Sequence, residues 1–161
     1  MIGLLSDTHD NLVTVREAVR LFNDAGCELV IHAGDFVAPF AAWELRVLRC
    51  PVQAIFGNCD GERAGLAEAF SGWGEIREAP LAFTHGGLRY IVTHLDRPVD
   101  GYIAGRSCDI IIFGHTHRPL CERRNGILVV NPGEAGGWLT GKSTAALLEP
   151  RTMAVDIVPL K

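Results

Sequence analysis

No apolar stretch in this 161-residue chain approaches the roughly 20 residues needed to span a bilayer, because Asp, His, Arg or Gly interrupts every run. A membrane partner is therefore not expected. Basic residues are neither in excess nor clustered: 15 Lys and Arg stand against 19 Asp and Glu, for a net charge of −4 and a pI near 5.8. That leaves no electrostatic footprint for a nucleic-acid duplex. The five cysteines (Cys27, Cys50, Cys59, Cys108, Cys121) are odd in number and include no CxxC pair, which argues against a disulfide framework and against a structural zinc knuckle. They read as small buried apolar residues of a reduced, cytoplasmic protein. The N-terminal Met1-Ile2-Gly3-Leu4-Leu5 carries no basic segment and no cleavage site, so it reads as mature structure rather than a signal. No repeat, low-complexity stretch or linker divides the chain, and residues 1–161 are expected to form one domain. At 48% hydrophobic residues, such a domain can bury about 70% of its unfolded surface.

What is present is a run of short apolar strands. The first half alternates strand and helix. Ile2 to Leu5, Leu29 to Ile31 and Val52 to Phe56 are predicted strands. A helix with Leu12, Val15, Val19 and Phe22 at helical spacing follows the first, capped by Asp10 or Asn11 and ended by Gly26. A second helix starts at Pro39 with Phe40, Trp43 and Val47 on one face and stops at Pro51, and a short one surrounds Leu66 and Phe70. After Gly72, hairpins dominate. Leu81–Thr84 and Leu88–Thr93 flank Gly86-Gly87, Asn125-Gly126 is a two-residue turn, and Thr144–Leu148 and Met153–Val158 form a last pair. The pattern predicts two packed sheets with helices outside, a layered α/β arrangement.

Five of the apolar runs end in the same way. Leu4-Leu5 leads to Asp7-Thr8-His9, Val30-Ile31 to Gly34-Asp35, and Ile55-Phe56 to Gly57-Asn58. Tyr90-Ile91-Val92 leads to His94, and Ile110-Ile111-Ile112-Phe113 to Gly114-His115-Thr116-His117. Ligands collect at the carboxyl ends of strands in open α/β sheets, so these five ends can converge on one site. One such ending is ordinary loop chemistry. Five, carrying four of the six histidines, point to metal. Asp7, His9, Asp35, Asn58, His94, His115 and His117 are too many donors for one tetrahedral zinc, and suit two ions that share a carboxylate. The nitrogen and oxygen donors favour Mn, Fe, Zn, Co or Ni over Ca or Mg.

In order and spacing these motifs resemble the calcineurin-like metallophosphoesterases, and the chain's length and its Asn58-Cys59-Asp60 form resemble their small single-domain phosphodiesterase branch. Asn131-Pro132-Gly133 resembles that branch's later loop. The resemblance implies a four-layer αββα sandwich of two mixed sheets flanked by helices. It implies one divalent ion held by Asp7, His9 and His117, a second by Asn58, His94 and His115, and Asp35 bridging; manganese is the first choice, with Ni, Fe, Zn or Co as alternatives. Asp35, Asn58 and His94 would then carry catalysis, through hydroxide activated between two ions roughly 3.5–4 Å apart and through phosphate positioning. The expected substrate is a small phosphodiester or phosphomonoester, the diester favoured, and a homo-oligomer is compatible with the family. The competing reading is a scaffold that kept the fold and its metal site, as in the retromer subunit that resembles this family. Two other readings fail on motif order. An amidohydrolase places its HxH at the first strand, and a metallo-β-lactamase requires HxHxDH, whereas His117 is followed by Arg118-Pro119.

Several positions depart from the family pattern. Many larger members have a leaving-group histidine where this chain has Cys59, and an aspartate where it has Ala38; the small branch has glycine and histidine where His94 is followed by Leu95-Asp96, and serine where it has Glu134. A thiol is a poor proton donor near neutral pH, which predicts faster turnover of esters with acidic leaving groups. His85, at the hairpin tip, is placed about 20 Å from the site and outside it. His32 reads as a core histidine, Asp10 as a helix cap, Asp60 as a cap or as a support for Asn58, and Arg118 as a surface residue. Trp43 and Trp73 read as core or interface, and Trp138, in the glycine-rich loop, as the tryptophan best placed to touch a partner.

Overall fold

The computed structural model describes residues 1–161 and has two mixed β-sheets with helices on both outer faces. The first sheet is built from β1 (Ile2–Leu5), β2 (Leu29–His32), β3 (Val52–Ile55) and β4 (Glu75–Arg77), all parallel, joined by α1 (Leu12–Asp24), α2 (Pro39–Trp43) with a 3-10 turn at Glu44–Val47, and α3 (Arg63–Phe70). The second comprises the hairpin β5 (Leu81–His85) and β6 (Leu88–Val92), then α4 (Val99–Gly105), β7 (Ile110–Ile112), and the hairpin β8 (Leu120–Arg124) and β9 (Ile127–Asn131). The last hairpin, β10 (Ser143–Glu149) and β11 (Ala154–Leu160), returns to the first sheet, giving the order β11-β10-β1-β2-β3-β4 against β5-β6-β7-β9-β8.

Period-two alternation sorts the strand residues among three cores. Ile2, Leu4, Leu29 and Ile31 face Tyr90, Val92, Ile110, Ile112, Leu128 and Val130 between the sheets. Leu5 and Val30 point the other way, against Val15, Ala18, Val19 and Phe22 of α1 and against Leu66 and Phe70 of α3. Ile91, Ile111, Ile127 and Val129 meet Val99 and Ile103 of α4 on the opposite outer face. Three apolar interfaces between four layers make the αββα sandwich, and they explain why the central strands are near-continuous Ile, Leu and Val. Gly3 sets how closely α1 approaches: a Cβ there would lie 2.6 Å from the Phe22 ring, which is fully buried. Burial of such a side chain contributes about 1.5–3 kcal/mol. The Asn125-Gly126 turn has both residues at positive φ (52° and 87°), as a two-residue hairpin of the expected handedness requires.

Three expectations need correction, and one strand falls outside the predicted set. The apolar face drawn for the second helix is turned to solvent: Phe40, Trp43 and Val47 are 45%, 50% and 67% exposed, while Ala41, Ala42 and Leu45 pack inward. The helix is only five residues long before it tightens into the 3-10 turn, so helical periodicity over nine residues does not apply, and it ends before Pro51. Asn11, not Asp10, caps α1, accepting the Thr14 N–H, whereas Asp10 accepts the Ala38 N–H across the loop. Strand β4 lay in a three-residue segment too short to show alternation. Only Cys27 and Cys108 are buried, while Cys59 and Cys121 are exposed. No helix is long and apolar enough to cross a membrane.

Candidate metal centre

β1, β2, β3, β6 and β7 bring their carboxyl ends together, and all seven singled-out residues lie in the loops that leave them. The loops are stitched to one another through the backbone. Asp7 N–H donates to Gly34 O (3.0 Å), His9 N–H to Asp35 O (3.2 Å), and Gly114 N–H to His94 O (3.1 Å). Asn131 fixes the fifth loop, donating to Gly114 O (2.8 Å) and Thr116 Oγ1 (3.1 Å) while accepting the Gly133 N–H. Five of the seven residues have left-handed backbone: Asp7 (φ 54°), His9 (41°), Asp35 (63°), His115 (66°) and His117 (59°). For residues with a Cβ this conformation is costly, and it concentrates where a site dictates side-chain direction.

The side chains converge on Asp35. Its Oδ2 lies 3.2 Å from His94 Nε2 and 3.6 Å from His9 Nε2, and its Oδ1 accepts the Cys59 N–H at 2.8 Å. Asp7 Oδ1 lies 3.9 Å from His9 Nε2 and 3.5 Å from His117 Nε2, and the same carboxylate accepts the His115 N–H. Asn58 Oδ1 is 2.9 Å from His94 Nε2, and the His115 ring meets the His94 ring edge-on at 5.3 Å. Donor atoms of Asp7, His9 and His117, and those of Asp7, Asp35 and His94, form two groups compact enough to surround a cation. Space is provided by absent side chains, since a Cβ on Gly57 would overlap the Asp35 carboxylate and one on Gly114 would overlap Ser6 Oγ.

Electrostatically the site is short of positive charge. Asp7 and Asp35 are 0% and 1% exposed, and no Lys or Arg lies within ion-pair distance of either, only imidazoles. Burial holds the Asp7 carboxyl above its ordinary range. Burial pushes Asp35 in the same direction, but His94 and the Cys59 N–H overcome it and bring that carboxyl down to about 2. His94 is driven down by burial, yet Asp35 prevails and raises it. His9 Nε2 is buried with no hydrogen-bond partner. Two buried carboxylates, an unpartnered imidazole nitrogen and glycine-lined space fit divalent cations.

Three residues outside the predicted set support the site. Asp60 does not cap α3, a role taken by Glu62; its carboxylate accepts the N–H groups of Asp35, Phe36, Val37 and Gly57 at 2.7–3.0 Å. Glu134 is fully buried, 3.2 Å from His117 Nδ1, and accepts the N–H groups of Leu139 and Thr140. Asn131 holds the His115 loop as described. Only the sequence position of Asp60 beside Asn58, and a charged residue in the glycine-rich loop at Glu134, could have pointed to the first two. His32 is a core histidine: fully buried, stacked on Phe36, and accepting the Gly34 N–H at Nδ1 (3.2 Å), with Nε2 3.3 Å from Thr8 Oγ1. Burial keeps it neutral. His85 sits at the far end of the hairpin against Glu28, and Arg118 is exposed on a neighbouring cleft. Trp138 borders the centre and anchors its Nε1–H on His9 O (3.0 Å).

A layered αββα fold whose strand ends present carboxylate, amide and imidazole groups around one carboxylate defines a metallophosphoesterase-like protein. The chain belongs to the calcineurin-like phosphoesterase superfamily, whose domain model matches residues 1–153. It is 38% identical over 152 residues to phosphodiesterase MJ0936 of Methanocaldococcus jannaschii, covering 92% of each chain. The solved structure of an archaeal phosphodiesterase superposes with a TM-score of 0.93 at 35% identity over 99% of both chains. Vps29 of Entamoeba histolytica, solved with zinc, shares the fold at a TM-score of 0.69 and 18% identity, over 99% of this chain and 97% of that one.

Proposed function

We propose that this protein is a metal-dependent phosphodiesterase. The observation that carries the reading is the position of Asp35, whose Oδ2 lies 3.2 Å from His94 Nε2 and 3.6 Å from His9 Nε2, within reach of one imidazole from each proposed ligand set. Asp7, His9 and His117 would hold one divalent ion, Asn58, His94 and His115 the other, and Asp35 both; manganese is the first choice for a nitrogen and oxygen donor set of this kind, with Ni, Fe, Zn or Co next. When bound, the ions supply positive charge to the phosphoryl oxygens and activate water as the nucleophile. The chain's own residues do the rest. Asp60 clamps the backbone of the Asp35 loop onto the Gly57 turn, and Asn58, exposed at the mouth, offers an amide to a phosphoryl oxygen. The cleft at the centre has a volume of about 400 Å³, is lined by His9, Asp35, Asn58, His115 and His117 and bounded by Cys59, Trp138 and Leu139, with no Lys or Arg on its walls. A monoester dianion would gain no basic side chain there, which supports a diester, with its single negative charge. Relatives called phosphodiesterases support the same class.

The scaffold alternative is supported at the level of fold alone, by the Vps29 structure. Five unpaired cysteines support a reducing, cytoplasmic setting. The test is metal-stripped protein assayed on bis(4-nitrophenyl) phosphate and 4-nitrophenyl phosphate before and after addition of manganese. Diester turnover should vanish on chelation and return with manganese, with the monoester slower. Turnover indifferent to chelation would reject the proposal.

A further inference from the structure

Next to the metal centre a separate groove of about 350 Å³ opens on the other side of Asn58, which lines both. His94 and Gly57 form its inner end, and its walls are Phe56, Pro80, Leu95, Pro98 and Tyr102. Leu95 is 40% exposed beside the buried His94, one of few large apolar side chains left open to solvent on this molecule. The groove's one charged pair is internally satisfied. Arg63 Nη1 is 2.6 and 2.8 Å from the two Glu78 oxygens, its Nε donates to Asp60 O at 3.1 Å, and its guanidinium lies over the Phe56 ring at 5.1 Å. The groove therefore presents apolar and aromatic surface with no uncompensated charge, and joins the proposed phosphate seat at a shared residue, Asn58.

We propose that this groove seats an uncharged planar aromatic ring carried by the phosphoryl group, so that the substrate is a phosphodiester with an aryl or nucleobase-sized arm. The inference rests on the phosphodiesterase reading and specifies its substrate class. A volume near the lower end of small-ligand pockets suits one or two rings rather than a long chain. Flat aromatic and proline faces gain from stacking and apolar burial together. A charged arm would lose its hydration here and meet only an ion pair already closed on itself.

Manganese-loaded protein titrated calorimetrically with the monomethyl esters of methylphosphonate and phenylphosphonate (hereafter methylphosphonate and phenylphosphonate) tests the assignment, since each carries the single negative charge of a diester. Both carry the same phosphoryl group and differ only in the ring. Wild-type protein should bind phenylphosphonate about tenfold more tightly, a preference of about 1.4 kcal/mol. Leu95→Asn and Tyr102→Ala should each cut the preference below about threefold with methylphosphonate affinity held within twofold, which also certifies the fold, whereas Trp138→Ala should keep it. A tenfold preference that survives both groove variants, or that disappears in Trp138→Ala alone, would overturn the groove as the ring's seat. Binding of neither phosphonate to the manganese-loaded wild type would instead overturn the phosphodiesterase reading, and the groove assignment with it.

Discussion

Glu134 lies fully buried with Oε1 3.2 Å from His117 Nδ1, while His117 Nε2 faces Asp7 Oδ1 at 3.5 Å. The glutamate sits behind the imidazole and the aspartate in front of it. Burial alone would raise the Glu134 carboxyl, but the N–H groups of Leu139 and Thr140, the Thr140 hydroxyl and His117 hold it below its usual range, so it stays ionised. A carboxylate at Nδ1 selects the tautomer that leaves Nε2 free for a cation.

Glu134→Gln should therefore weaken the ion held by His117 about 10- to 100-fold, leaving the other ion in place. Glu134→Ala should additionally lower stability by about 1–3 kcal/mol, because the loop N–H groups lose their acceptor. Metal content by mass spectrometry after dialysis, beside chemical denaturation, separates the two effects. Two tightly held ions in the Gln variant would contradict this role.

Asp60 accepts four backbone N–H groups from two loops, an arrangement that a neutral amide cannot reproduce. Asp60→Asn should destabilise the metal-free protein by about 2–3 kcal/mol, since charge-assisted bonds are lost and an amide N–H₂ is turned toward donors. It should also depress turnover through the displaced Asp35. A melting curve matching that of wild type would speak against it.

Much of this was legible from the chain because strand ends and metal donors are local features. Ile110-Ile111-Ile112 before Gly114-His115 marks both a doubly buried strand and the loop that leaves it, and the structure gathers the seven selected residues at neighbouring strand ends. The roles of Asp60, read only as a cap or a support for Asn58, and of Glu134, read only as a departure from the family's serine, escaped because they act on backbone amides and a ring that other loops supply; a carboxylate's partners across loops leave no periodic trace. Phe40 and Trp43 misled for the opposite reason. Their spacing imitates a buried helical face, but Ala41, Ala42 and Leu45 already fill the space against α1 and α3.

Cys59 is exposed at the mouth of the centre, yet burial of its sulfur and the nearby Asp35 charge push the thiol up to about 11. So weak an acid cannot assist a departing alkoxide well at neutral pH. Cys59→His is expected to raise turnover of methyl 4-nitrobenzyl phosphate tenfold or more relative to that of bis(4-nitrophenyl) phosphate, whose leaving group needs no proton. Parallel changes on both substrates would count against a leaving-group role at this position.

Far from the centre, Arg89 and Asp109 form a bidentate pair between β6 and the start of β7, with 2.8 and 3.1 Å bonds. Arg89 and its backbone N–H bring the Asp109 carboxyl down to about 2. A carboxyl lowered on folding stabilises the native state above its unfolded value near 4, and that contribution disappears as pH falls through about 2. With solvent screening at this partly exposed pair, Asp109→Asn should cost about 0.5–1 kcal/mol at pH 7 and only a small fraction of that at pH 2. Denaturation midpoints at the two pH values check the sign; an equal loss at both would show that the charge is not responsible.

In the proposed mechanism Asp35 joins two ions into one reacting centre. The most direct test is Asp35→Asn in manganese-saturated protein, read by metal content per chain and by turnover of bis(4-nitrophenyl) phosphate. The account predicts two ions per wild-type chain, loss of the paired occupancy in the variant, and turnover reduced at least a thousandfold, about 4 kcal/mol of barrier. Undiminished turnover in a variant that no longer holds two ions would contradict it.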